Sequence, residues 1–240
     1  MILDALLTLA YPQICGICGR SVEQRRFGVA CEGCWKETRI FTDDERICWK
    51  CGCLAPVEVA PEFREQVRCR RCESLAFTAA RAAGPYEGAL RESVLLLKRQ
   101  PHVARHIEEL LVAVAMRAPL NESTRVIPVP LHRKRMRARG FNQAAALAQA
   151  LSRRLRLPLD EVSLDRVAWS EKYRAGLDVK GRRDTVAGAF EVRYPRLVAG
   201  ETILLIDDVF TTGATVGACT RTLLEAEARA VFVLTAARAV

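Results

Sequence analysis

Eight of the chain's ten cysteines fall into four C-x2-C pairs, Cys15/Cys18, Cys31/Cys34, Cys48/Cys51 and Cys69/Cys72, separated by 12, 13 and 17 residues. Two residues between thiolates let one tight turn aim both sulfurs at a single ion, and two such turns complete a tetrahedral zinc site. Four pairs therefore make two closed four-thiolate sites with no open coordination position, so the role is structural. A redox motif or an iron–sulfur cluster is the competing reading, and the even repetition of the pairs favours two zinc ions over both. Spacing leaves the pairing open. Adjacent pairs would build two zinc ribbons in series, and alternating pairs would interleave them. Cys53, in CWKCGC, and Cys219, within a later helical pattern, read as packing residues.

The 240 residues suffice for one ordinary domain plus a small one, and half of them are apolar. No apolar run approaches the roughly 20 residues of a membrane helix. The opening MILDALLTLAYPQIC carries Asp4 and lacks a basic lead, so it reads as a short packed helix and the protein as cytoplasmic. The net charge of +9 is unevenly spread: residues 1–80 hold 11 basic and 11 acidic side chains, residues 131–183 hold 14 and 5. Thiolates bound to zinc make the cysteine segment acidic on balance, which suits partner docking better than a nucleic-acid grip. The basic excess centres on Arg133, Lys134, Arg135, Arg137 and Arg139. Such a patch concentrates anionic partners, although a charge run is often only a solvated face. If this stretch is helical, Arg133 and Arg137 share one face while Arg135 and Arg139 point elsewhere. One set could then serve a pocket and the other DNA or a partner.

From about Phe77 the cysteine pairs stop, and apolar strands alternate with amphipathic helices. The expected organisation is a cysteine domain over residues 1–76 and an α/β domain with a parallel sheet over 77–240. Ligands bind such sheets at the carboxyl ends of strands. The best candidate is TILLIDDVFTTGATVGA, residues 202–218, where a buried strand delivers Asp207 and Asp208 and a helix begins after Thr211, Thr212, Gly213, Ala214 and Thr215. Gly213 permits a tight turn, the threonines supply hydroxyls, and the amides at the helix start face outward with the positive end of its dipole. That is a cradle for a phosphate dianion. The two aspartates can accept hydrogen bonds from sugar hydroxyls or hold a Mg²⁺ shell. The loop matches neither a Walker loop nor a dinucleotide fingerprint. A strand-turn-helix without ligand would leave the paired carboxylates at the strand end unexplained.

ILLIDDVFTTGAT resembles the PRPP-binding signature of type I phosphoribosyltransferases, and PVPLHRKRMRARGFNQ is similar to the hallmark of the ComF family. That family joins a cysteine zinc module to this domain. The resemblance implies that Thr211–Thr215 hold a 5-phosphate, that Asp207 and Asp208 meet ribose hydroxyls, and that Pro130, Arg133, Arg137 and Arg139 lie where pyrophosphate binds. It implies a mobile loop carrying Arg174, Lys180, Arg182 and Arg183, and Mg²⁺ bound with PRPP. It also implies a role in natural competence, with single-stranded DNA and competence or DNA-processing proteins as partners.

The chain departs from the family pattern in LKRQP, around Lys98, and at Arg174. Thr211 stands where purine-transferring relatives often carry an Asp, and a threonine hydroxyl is a poor general base. Phe141, Trp169 and Tyr173 are too scattered to form a stacking platform for bases. Two functions therefore follow: a PRPP-binding module acting with DNA, and a PRPP-dependent salvage transferase.

Overall fold

In the computed structural model, which describes residues 12–42, 45, 47–54, 61–168 and 188–239, TILLIDDVF forms an inner strand of a four-stranded sheet. Strands β1 (Ala79–Pro85), β2 (Arg125–Pro128), β5 (Thr202–Phe210) and β6 (Ala230–Arg238) lie in the order β1-β6-β5-β2. Every pairing among them is parallel. A strand covered on both faces reads as an unbroken apolar run, and Ile203, Leu204, Leu205 and Ile206 are all fully buried. Alternation sorts them: Leu204 and Ile206 join one core cluster, Ile203 and Leu205 the other.

Helices α2 (Gly88–Leu97), α3 (Arg105–Ala115) and α5 (Gln143–Leu155) cover the first face, burying Leu90, Leu111 and Leu147. Helix α6 (Ala214–Glu225) covers the second with Cys219 and Leu223. An antiparallel hairpin of β3 (Leu164–Arg166) and β4 (Phe190–Val192) packs beside α6. The α/β architecture with a parallel sheet is the one expected from sequence. Among the described residues, no helix is long and apolar enough to cross a membrane.

The cysteine segment, which includes the short helix α1 (Glu32–Glu37), wraps the β1 edge of the sheet. The Phe41 amide donates to the Ala83 carbonyl at 2.8 Å, and the Ala80 amide donates to the Lys50 carbonyl at 2.7 Å. An edge strand offers unpaired backbone groups to any passing chain, and these bonds close part of that edge. Cys15, Cys31, Cys34, Phe27 and Trp35 join the first core cluster, whereas Cys48, Cys51, Cys72, Leu75 and Phe77 join the second. The segment thus packs into both cores rather than forming one of its own. Close approach is visible at Gly84, where a β-carbon would lie 2.5 Å from the Arg39 carbonyl oxygen and 2.7 Å from Leu90 Cδ1.

Gly84→Ala should therefore wedge the cysteine segment off the sheet edge and cost about 1–3 kcal/mol, the usual price of overpacking. Urea unfolding checks this; an unchanged midpoint would mean that the contact carries no stability.

Candidate functional site

The structure resolves the cysteine pairing. Sγ of Cys15 lies 3.7 Å from that of Cys34, and Cys18 lies 3.6 Å from Cys31. In the second cluster Cys48 lies 3.6 Å from Cys72, and Cys51 lies 3.5 Å from Cys69. Zn–S bonds of about 2.3 Å in a tetrahedron put sulfurs about 3.8 Å apart, so both sets fit one ion each. Adjacent pairs are partners, giving two centres in series. They are built as a repeat. Residue Ile14 bridges to Ser21 in the first, and Ile47 bridges to Leu54 in the second. The Cys31 amide donates to Cys15 Sγ and the Cys69 amide to Cys48 Sγ, both at 3.3 Å.

The repeat also exposes a difference. Arg20, two residues after Cys18, donates to its Sγ at 3.4 Å and holds the thiol down at about 6. The corresponding position after Cys51 is Cys53, whose sulfur lies within 4.8 Å of those of Cys48, Cys51 and Cys69. Cys53 is therefore a fifth thiol beside the second centre, and it packs against the second core as a packing residue does. The repeat makes Cys72, the counterpart of Cys34, the fourth ligand. In place of a local arginine, Arg238 at the end of β6 donates to the Cys51 carbonyl at 2.5 Å, with its other Nη 3.9 Å from Cys51 Sγ.

At the carboxyl end of β5, each aspartate accepts the next backbone amide: Asp208 N–H to Asp207 Oδ1 at 2.9 Å, and Val209 N–H to Asp208 Oδ1 at 2.8 Å. Burial, and then the charge of Asp208, push the Asp207 carboxyl well above the ordinary carboxylate range. Asp208 is met by two side chains that were not among the candidate site residues, Lys98 Nζ and Gln143 Nε2, each 3.4 Å from Oδ2. Lys98 follows directly on α2, in the LKRQP stretch that departs from the family pattern, and no local signal ties it to Asp208. After β5 the chain turns through Thr211 and Thr212 to Gly213, which caps α6 at φ +76°. Thr212 Oγ1 accepts weakly from the Ala214 amide at 3.4 Å. The first turn of α6 contains no acidic residue, so the positive end of its dipole is not offset by a charge of its own. A β-carbon at Gly213 would meet Leu75 Cδ1 and Phe210 Cζ, each at 2.8 Å. The glycine is thus required by apolar walls as well as by the turn.

The basic run forms a short exposed helix, α4 (Arg133–Arg139), which His132 Nδ1 caps by accepting from the Lys134 amide at 3.2 Å. Left-handed Gly140 ends it. Asn142 then caps α5, accepting from the Ala144 amide at 3.0 Å while Nδ2 donates to the Val129 carbonyl at 3.0 Å. Gln143 is buried, joining Asp208 on one side and Arg139 on the other. An open cleft of about 420 Å³ lies between α2 and α4, lined by Lys98, Arg99, Arg135, Ala138 and Arg139. The four cations put a strong positive potential there, and Lys98 links the cleft to Asp208. Arg139 lies in this cleft; Pro130, Arg133 and Arg137 are not among its lining residues. Arg135 and Lys98 are. Arg174, Lys180, Arg182 and Arg183 lie outside the described residues, as do Trp169 and Tyr173.

Two predictions follow from these geometries. Metal analysis of the chain should find two zinc ions, one in Cys48→Ser or Cys72→Ser, and two in Cys53→Ser; loss on removing Cys53 alone would make it a ligand. Because Asp207's folded-state value is raised, its ionisation opposes folding, and stability is lost as pH rises from the ordinary carboxylate range through that raised value. Asp207→Asn should therefore melt above the wild type at neutral pH, and the gap should close on acidification. A gap that ignores pH would dismiss this cause.

No protein-family model matches the chain. DNA utilization protein YhgH of Escherichia coli is 28% identical over 235 residues, covering 94% of this chain and 96% of the relative. Competence protein ComFC of Bacillus subtilis is 26% identical over 209 residues, covering 80% and 83%. Among solved structures, phosphoribosylpyrophosphate synthetase from Mycobacterium smegmatis aligns with 55% of this chain and 33% of its own at 18% identity, with a TM-score of 0.35. That superposition is too loose to bear on the site. The chain is thus similar over most of its length to DNA utilization and competence proteins, in line with the resemblance read from the motifs, and it carries two four-cysteine clusters ahead of a parallel α/β domain.

Proposed function

We propose that the α/β domain binds PRPP or a related phosphorylated ribose, and that the protein acts in the cytoplasm on imported single-stranded DNA during natural competence. The observation that carries the first part is the juxtaposition at the end of β5: a helix start beyond Thr211–Gly213 with no acidic residue in its first turn, the carboxylates before it, and a four-cation cleft joined to them by Lys98. In this reading Thr211, Thr212, Gly213, Ala214 and Thr215 take the 5-phosphate, and Asp207 and Asp208 take the ribose hydroxyls. The cleft takes the pyrophosphate through Lys98, Arg99, Arg135 and Arg139. Mg²⁺ bound with PRPP would neutralise the diphosphate. The names of the relatives support the second part. Exposed Arg133 and Arg137, outside the cleft lining, leave cationic surface for a nucleic-acid backbone. The cysteine module would then dock competence or DNA-processing proteins. Binding is assigned here and turnover is not, because Thr211 offers no general base.

Calorimetric titration of Mg²⁺-PRPP, with and without single-stranded DNA, tests the reading. Lys98→Ala and Arg139→Ala should each weaken PRPP about tenfold, the equivalent of about 1.4 kcal/mol. Arg133→Ala with Arg137→Ala should weaken DNA and flatten its salt dependence while sparing PRPP. Parallel losses of both ligands in all variants would reject the division into two surfaces. Pyrophosphate release with a nucleobase acceptor would favour a salvage transferase instead.

A further inference from the structure

The two cysteine centres are copies of one another, yet they pack on opposite faces of the sheet, and only the second reaches the loop after β5. Leu75, whose amide donates to the Cys72 carbonyl at 3.1 Å, belongs to the turn of the last cysteine pair. Its Cδ1 stands 2.8 Å from where a β-carbon on Gly213 would be, and its Cδ2 stands 2.9 Å from the same position on Gly217. The loop and the first turns of α6 therefore rest on one leucine carried by the cysteine turn. The other pair makes a second connection. Arg238 donates to the Cys51 carbonyl and lies over the Phe210 ring at 4.5 Å from its centroid. Phe210 forms the other wall of Gly213 and meets Phe77 edge-on at 5.9 Å. Each half of the second centre thus sends one contact to the same glycine. The first centre packs instead with α3, where Phe27 and Trp35 flank His106 at 5.2 and 4.5 Å.

We infer that the second cysteine centre, acting through Leu75 and Arg238, holds the loop at residues 211–217 in its binding shape, so that metal occupancy of that centre sets the loop's affinity for a phosphate monoester. The ligand identity rests on the reading of this loop as a phosphate cradle; the mechanical coupling does not. A bound ion fixes the two turns relative to each other, and the turns fix both walls of Gly213. Without the ion the walls separate, and a left-handed glycine with no wall has many conformations open to it. Leu75 and Arg238 are positioning residues, since neither needs to touch the ligand.

The test uses the full chain and ribose 5-phosphate as probe, with affinity read by calorimetry and amide hydrogen exchange read over residues 211–217. Leu75→Ala retains every cysteine and should weaken binding about tenfold and speed exchange in the loop. Leu75→Met should restore most of both. Cys72→Ser, which disables the second centre, should match Leu75→Ala, whereas Cys18→Ser, which disables the first, should leave both readouts at wild-type values. Wild-type affinity and exchange in Leu75→Ala would overturn the inference, and so would equal effects of Cys18→Ser and Cys72→Ser. If the wild type fails to bind ribose 5-phosphate, the phosphate reading falls and metal-set affinity with it. Loop exchange needs no ligand and still separates the coupling: faster in Leu75→Ala and Cys72→Ser but not in Cys18→Ser if it exists, unchanged if it does not.

Discussion

A parallel sheet whose first strand lies at its edge has an open flank, and the chain closes that flank with the segment that precedes it. The bonds from Phe41 to Ala83 and from Lys50 to Ala80 are the hinge of this arrangement. One ribbon lies to either side of the hinge, so each face of the sheet receives one cysteine centre as part of its core. Zinc sites commonly hold together segments too small to bury a core of their own. Here two such cysteine segments lie against a sheet that supplies the missing apolar surface, and β1 in turn gains a cover that denies it to other chains.

The site at the far side of the sheet combines opposing tendencies. Burial and proximity set Asp207 against Asp208, while Lys98 draws Asp208 into an ion pair and Gln143 adds a hydrogen bond. Four cations line one cleft, and a helix begins without an acidic residue in its first turn. Groups arranged against their own charge are costly in the free protein, and they persist where a ligand of complementary charge offsets the cost. An anion at the helix start and in the cleft, with hydroxyls or a cation at the carboxylates, would relieve each of these tensions at once.

Much of this was legible before any coordinates. The C-x2-C spacing gave the metal chemistry because two ligands on one turn are a local matter, and TILLIDD announced a strand covered on both faces by its unbroken apolar run. What stayed hidden depends on distant chain segments. The cysteine pairing follows from how turns separated by 12 to 17 residues fold back, which spacing does not encode. That Cys53 packs beside the second centre depends on where Cys69 returns. Lys98 and Asp208 are far apart in sequence, so only the fold pairs them. The faces of RKRMRAR were separable by helical period, as was the division of Arg133 and Arg137 from Arg135 and Arg139; which of the two faced the cleft was set by the position of α2. The β3–β4 hairpin consists of three-residue strands, too short for alternation to register.

The exchange of Arg20 for Cys53 between the two ribbons has a bearing on how the chain assembles. The first centre draws its guanidinium from within its own loop, and all of its ligands lie between residues 15 and 34. The second borrows a guanidinium from β6, 187 residues further along. β6 is also the strand that must slot between β1 and β5 before the sheet exists. On a ribosome, where the earlier part of a protein ordinarily settles first, the first ribbon can gain its guanidinium as it emerges, whereas the second gains its own only when β6 arrives. Long-range closure of this kind is slow, and until it occurs the five thiols of the second centre lack the guanidinium that covers Cys51 in the finished fold.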